Sequence, residues 1–135
     1  MKIKDIMHEI LRVSHKVSVA DVALLMGTKE TGSVLLENNG RPVGIITERD
    51  ILRKVVSKNM NPSRVNAIDI ASYPFITVGP EESVEEAARK MGEHNIRRIL
   101  VEKDGRIIGK VTAGAITKNI NYAKASSMIG HRPEF

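Results

Sequence analysis

The chain repeats itself. Shifted by 65 residues, positions 18–53 align with 83–118 without a gap, and 12 of the 36 pairs are identical. Among them are Ser18/Ser83, Met26/Met91, Gly27/Gly92, Gly40/Gly105, Gly44/Gly109, Thr47/Thr112 and Ile51/Ile116. Chance would give about two or three, so the chain is a tandem duplication, and the two copies are expected to share one architecture. The spacing divides the chain into a first repeat with its lead-in (residues 1–65), a second repeat (66–122) and a C-terminal tail (123–135). The tail lies outside the repeat, and its 130–133 stretch reads as irregular.

Each copy carries the same local signals. Ser18-Val-Ala-Asp21 and Ser83-Val-Glu-Glu86 have the hydroxyl-to-carboxylate spacing of a capping box. Apolar residues at helical spacing follow, Val22, Ala23, Leu25 and Met26 in one copy and Ala87, Ala88 and Met91 in the other. Gly32 suits the turn after the first helix. Two β-rich runs come next, 33–37 with 42–47 and 98–102 with 107–112, joined through Asn39-Gly40 and Asp104-Gly105, strong hairpin signals. Second helices are expected at 48–56 and 113–122, and short strands at 10–13 and 75–78 lead each unit. The fold class is therefore α+β, a β-α-β-β-α unit twice over. About 50 residues bury too little apolar surface to stand alone comfortably. The two copies are thus expected to pack through their sheets about a pseudo-two-fold axis, leaving two equivalent clefts.

Composition narrows the function. Of the 135 residues 41% are hydrophobic and 27% charged, with no Cys, no Trp and four aromatics, so the core must be aliphatic. Disulfides and thiolate metal sites are excluded. No apolar run approaches the ~20 residues of a membrane span. Asp5, His8 and Glu9 interrupt the first stretch, which does not read as a signal peptide, and a cytoplasmic setting is expected. The net charge of +5 favours anionic partners, nucleotides and nucleic acid among them, or simply a basic surface.

The order and spacing of several motifs resemble the CBS domain in its tandem arrangement, the Bateman module. They are Asp5-Ile6-Met7, Gly44-Ile-Ile-Thr47-Glu48-Arg49-Asp50, Ile68-Asp69-Ile70-Ala71, Pro74-Phe75-Ile76-Thr77-Val78, Ile96-Arg97-Arg98-Ile99-Leu100-Val101 and Gly105 to Thr112. The match runs from about Asp5 to Ile120. The resemblance implies a non-catalytic, regulatory module that binds an adenine-containing ligand: AMP, ADP, ATP or S-adenosylmethionine. It also implies pairing into homodimers, with helices 48–56 and 113–122 at the interface and an effector protein as a further partner. Ile51, Leu52, Val55 and Val56 supply an apolar stripe for that interface, or for burial within the monomer.

The candidate site follows residue by residue. A helix start offers unpaired N–H groups and a favourable dipole to phosphate, and Thr47, Glu48, Arg49 and Asp50 stand at one. By resemblance Asp50 is the acid that accepts from ribose hydroxyls, and Thr47 is the hydroxyl beside the phosphates. Thr-x-x-Asp is equally a capping box. The second copy has Thr112-Ala-Gly-Ala115, which keeps the cap and lacks the acid. By resemblance Tyr73, Pro74, Phe75 and Ile76 lie against adenine, where Phe75 and Ile76 could equally be core. Arg97 and Arg98 match positions that meet phosphate, and charge-assisted bonds from guanidinium suit that role. They could also be surface cations on a turn. Without an acid the second cleft is expected to be empty or weak, giving one dominant site per chain.

His8, His15, His94 and His131 lack ligand spacing, and neither a phosphate-binding Gly loop nor a nucleophile elbow is present. No metal and no catalytic residue is therefore expected. Two other classes remain open on sequence alone: a nucleic-acid-binding module, favoured by charge but without a recognition motif, and a ligand-free scaffold for a partner protein.

Overall fold

The computed structural model describes the backbone of residues 1–127 and the side chains of residues 1–120. In the first copy β1 (Leu11–Ser14), α1 (Val19–Lys29), β2 (Ser33–Asn38) and β3 (Arg41–Thr47) lead into α2 (Glu48–Ile51), which continues as a π-helical stretch, Leu52–Val56. After the short helix α3 (Ala67–Ile70) the order recurs: β4 (Thr77–Val78), α4 (Val84–His94), β5 (Arg98–Lys103), β6 (Arg106–Thr112) and α5 (Ala113–Ser127). Helix α5 thus takes in residues 123–127 of the expected tail, and 128–135 lie outside the described residues.

Two three-stranded sheets result, ordered β1-β2-β3 and β4-β5-β6. In each the first pair is parallel and the second antiparallel. Register shifts fall at matching places, Leu36/Glu37 and Val101/Glu102. Both hairpins close in two residues with positive φ, 51° and 79° at Asn39-Gly40 and 52° and 76° at Asp104-Gly105, the conformation in which Asn-Gly and Asp-Gly are least strained. The α+β reading holds element by element.

Local differences have physical causes. Ser18 and Asp21 form the full capping box on α1, with bonds of 3.1 and 3.0 Å. On α4 Ser83 accepts from the Glu86 N–H at 3.1 Å, but Arg89 engages the Glu86 carboxylate, so the expected box is half made. Helix α1 ends on Glu30 and α4 on Asn95, both left-handed with φ 52°, so the helix-ending turn sits two residues before Gly32. The strands expected at 10–13 and 75–78 form at Leu11–Ser14 and Thr77–Val78.

The chain packs as two compact units, each of which borrows its lead-in segment from outside its own repeat. One unit is Ile10–Phe75; the other is Met1–Glu9 together with the described residues from Ile76 onward. The segment leading into the second copy stays on the first, where Ala67 N–H donates to Val17 O at 2.9 Å and Ser72 exchanges two backbone bonds with Ile45. The N-terminal segment takes the same seat on the second copy. There Ile3 N–H donates to Glu82 O at 2.9 Å, and His8 exchanges two bonds with Lys110. Gly44 and Gly109 permit this approach: a Cβ at Gly44 would meet Ala71 Cβ at 2.8 Å, and one at Gly109 would meet His8 O at 2.6 Å.

Each unit has its own aliphatic core. Val19, Val22, Met26, Val34, Leu36, Ile46, Val55, Ala67 and Ile70 pack in one. Ile3, Ile6, Val84, Ala87, Met91, Ile99, Val101, Val111 and Ile116 pack in the other, largely at matching positions. The apolar stripe on the 48–56 helix divides: Val55 is fully buried and Ile51 packs against the same core, while Leu52 and Val56 stay 60% and 58% exposed.

Candidate functional site

The antiparallel β3 ends at Thr47, where the chain turns into α2. The backbone at Thr47 is extended and that of the next residues helical, so Thr47 is the N-cap. Its hydroxyl accepts from the Asp50 N–H at 3.2 Å. Asp50 Oδ2 answers by accepting from the Thr47 N–H at 2.9 Å and from the Thr47 hydroxyl at 3.1 Å. Glu48 N–H is held by Gly32 O at 3.1 Å, which anchors the turn to the start of β2. Glu48 is exposed, and Arg49 and Asp50 are half-buried.

The other oxygen of Asp50 also has a partner. Lys54, one helical turn on, sets its ammonium 3.1 Å from Asp50 Oδ1 and donates to Ile70 O at 2.9 Å. The Asp50 side chain keeps 13% of its accessible surface, whereas Lys54 keeps 45%. Lys54 and Ile70 did not figure among the sequence candidates. The i, i+4 spacing of Asp50 and Lys54 on one helix is a signal for the ion pair, but nothing local announces Ile70.

In the second copy Ala115 N–H donates to Thr112 Oγ1 at 3.1 Å, and Ala113 N–H is held by Arg97 O at 2.8 Å, matching the anchor at Gly32. The helix start is therefore built without an acid at the position of Asp50.

The remaining candidates divide between the units. Tyr73, Pro74 and Phe75 belong with Thr47, Glu48, Arg49 and Asp50 in the unit Ile10–Phe75, and follow directly from the Ser72–Ile45 bridge. The Tyr73–Pro74 peptide is cis. The Tyr73 and Phe75 rings meet edge to face with centroids 5.2 Å apart, and Tyr73 is 69% exposed. Ile76, Arg97 and Arg98 belong to the other unit. Arg97 is exposed, and Arg98, half-buried, opens β5 opposite Thr112. Among the described residues no three His, Asp or Glu side chains converge as a metal site, and no helix is long and apolar enough to cross a membrane.

Two copies of a β-α-β-β-α unit, each ending its hairpin in a threonine-capped helix, define a tandem-repeat α+β module. The family model described as the CBS domain matches residues 3–57 and 67–122, and the chain belongs to that family, as a CBS pair. An uncharacterized protein of Methanopyrus kandleri is 41% identical over 120 residues, covering 87% of this chain and 61% of that protein. The chain spans about three-fifths of the length of the curated relatives it first matches. A conserved protein of Pyrococcus horikoshii superposes with a TM-score of 0.84 at 29% identity, covering 99% of this chain and 96% of that one. A CBS domain protein of Pyrobaculum aerophilum, solved in complex with AMP, superposes with a TM-score of 0.78 at 27% identity, covering 90% and 99%. CBS-pair proteins are generally regulatory.

Proposed function

We propose that this chain is a non-catalytic sensor of an adenine nucleotide, with its ligand held at the start of α2. The reading rests chiefly on one observation: Thr112 caps α5 without an acid, so Asp50 is surplus to what such a helix start requires. A carboxylate there can accept from ribose hydroxyls, the helix start favours phosphate, and the AMP-bound Pyrobaculum protein supplies the ligand class. AMP is the first candidate, with ADP, ATP and S-adenosylmethionine as the variants to compare. Tyr73, Pro74, Phe75 and Ile76 are the proposed adenine contacts, and Arg97 and Arg98 the proposed phosphate contacts.

Calorimetric titration of the purified chain with AMP tests this. One AMP per chain is expected, and at a hundredfold excess over Kd it should stabilise the fold by about 2.7 kcal/mol. Asp50→Ala should abolish both effects. AMP binding that survives in Asp50→Ala, or no binding of any of the four ligands, would overturn the reading.

The same module is proposed to work as a homodimer with helices 48–56 and 113–122 at the interface, and the exposed apolar residues of the first copy support it. Leu52 and Val56, 60% and 58% exposed, line an open groove of about 360 Å³ with Ala23, Met26 and Ile51, and Leu24 on α1 is 71% exposed; exposed apolar patches commonly mark contact surfaces. Light scattering should give a dimer for the native chain and a monomer for Leu52→Glu. A monomeric native chain would remove this part of the proposal.

A further inference from the structure

Asp50 has fewer open acceptor positions than a ribose needs. A carboxylate offers about four lone-pair positions, two on each oxygen. Both positions on Oδ2 are taken, by the Thr47 N–H at 2.9 Å and the Thr47 hydroxyl at 3.1 Å. Oδ1 already receives the Lys54 ammonium at 3.1 Å, which leaves one position. A ribose presents two vicinal hydroxyl donors and needs two acceptors, so as the site stands it is one acceptor short.

We infer that Lys54 is the resident occupant of the ligand-facing oxygen of Asp50, and that nucleoside binding is an exchange in which the ribose hydroxyls displace its ammonium. This deepens the proposed function and rests on it. The geometry makes the exchange cheap. Lys54 sits on a long flexible stem, is nearly half exposed, and already donates to Ile70 O at 2.9 Å, so its charge keeps a partner and access to water when Asp50 is taken. Until ligand arrives, the same ammonium keeps a largely buried carboxylate paired, which an empty site would otherwise leave exposed to the desolvation cost of an isolated charge. Lys54 is thus a positioning residue that also sets the threshold for occupancy. Because its second contact is a carbonyl of α3, the occupancy of Asp50 decides whether Lys54 holds the 52–56 stretch to α3 alone or bridges Asp50 and α3 together.

Competition and simple electrostatics predict opposite signs. Removing a cation weakens binding of an anionic ligand, whereas removing a competitor strengthens binding of a ribose. Adenosine, which is uncharged, isolates the competition. Isothermal titration would compare adenosine and 2′,3′-dideoxyadenosine on the native chain, Lys54→Met and Asp50→Ala. Lys54 is nearly half exposed, which keeps this i, i+4 pair weak, so Lys54→Met is expected to bind adenosine about two- to threefold tighter. The dideoxynucleoside, with no hydroxyls to exchange, should bind native chain and Lys54→Met alike, and no better than adenosine binds Asp50→Ala. Unchanged or weaker adenosine binding by Lys54→Met, with binding still lost in Asp50→Ala, would overturn the exchange and leave the site standing. Adenosine binding that is indifferent to Asp50→Ala would overturn the site and the exchange together. Lys54→Leu, which likewise presents no donor to Asp50, provides the same reading should the methionine variant fold poorly.

Discussion

The two copies start their second helices in the same way and finish them differently. Thr47 and Thr112 occupy matching positions, and both hydroxyls accept from the backbone three residues on. The first copy adds Asp50, which returns two bonds to Thr47 and pairs with Lys54; the second has Ala115. A duplication thus serves as an internal control. What both copies keep is what the fold needs, and what one copy has alone is free to do something else. The same logic separates the outer helix faces. Leu24 and Leu52 are exposed apolar residues on the first copy, while the matching positions on the second are Arg89 and Thr117, and Arg89 is ion-paired with Glu86 and Glu93.

The shared glycines offer the strongest test of that logic. Gly44→Ala and Gly109→Ala should both destabilise, because each forces a Cβ into the segment seated on its sheet. The second should cost more, since its Cβ meets backbone, His8 O, where the first meets the side chain of Ala71. Losses of about 1–2 kcal/mol for Gly44→Ala and about 3 kcal/mol for Gly109→Ala are expected by urea denaturation. Equal losses would mean that the two lead-in segments are held alike.

The caps give a smaller contrast. Thr47→Ala removes the hydroxyl from a reciprocal box and should cost about 1–2 kcal/mol. Thr112→Ala removes one side of a cap and should cost about 0.5–1 kcal/mol. The order of the two denaturation midpoints checks it; a larger loss at Thr112 would mean the acid adds nothing to the first cap.

The smallest effect is in pH. Lys2 and Lys4 both bind Glu81, and their hydrogen bonds hold its carboxyl down to about 2 from an ordinary 4.5. The matching residue of the first copy, Lys16, cannot act so. The stabilisation from Glu81 is present above pH 4.5 and is lost as pH falls from there toward 2. Glu81→Gln should flatten that part of the thermal-stability profile slightly, because the group is largely exposed. An unchanged slope would show that the lysines do not hold the carboxylate in solution.

Most of the secondary structure was legible in the residues, because its signals are local. Asn39-Gly40 and Asp104-Gly105 set turns that only a few residue types can make, and Ser18 with Asp21 closes a box within four residues. The second box was misread for an equally local reason: Glu86 faces Arg89 on its own helix and turns to it instead. Of the candidate site, the Thr47–Asp50 box was readable by spacing, and so was its ion-pair partner Lys54, four residues on along the same helix.

The sequence by itself determined the duplication, the order of elements and the contrast between Asp50 and Ala115, all of which depend on residue identity and short spacing. Tertiary structure alone decided that residues 67–72 settle on the first copy and residues 3–8 on the second. It also decided that Val55 is core while Leu52 and Val56 face out, and that Ile70 O receives Lys54. Those outcomes turn on which distant segment reaches a sheet edge whose glycine leaves room for it, a matter of contact between residues far apart in the chain that no local pattern encodes.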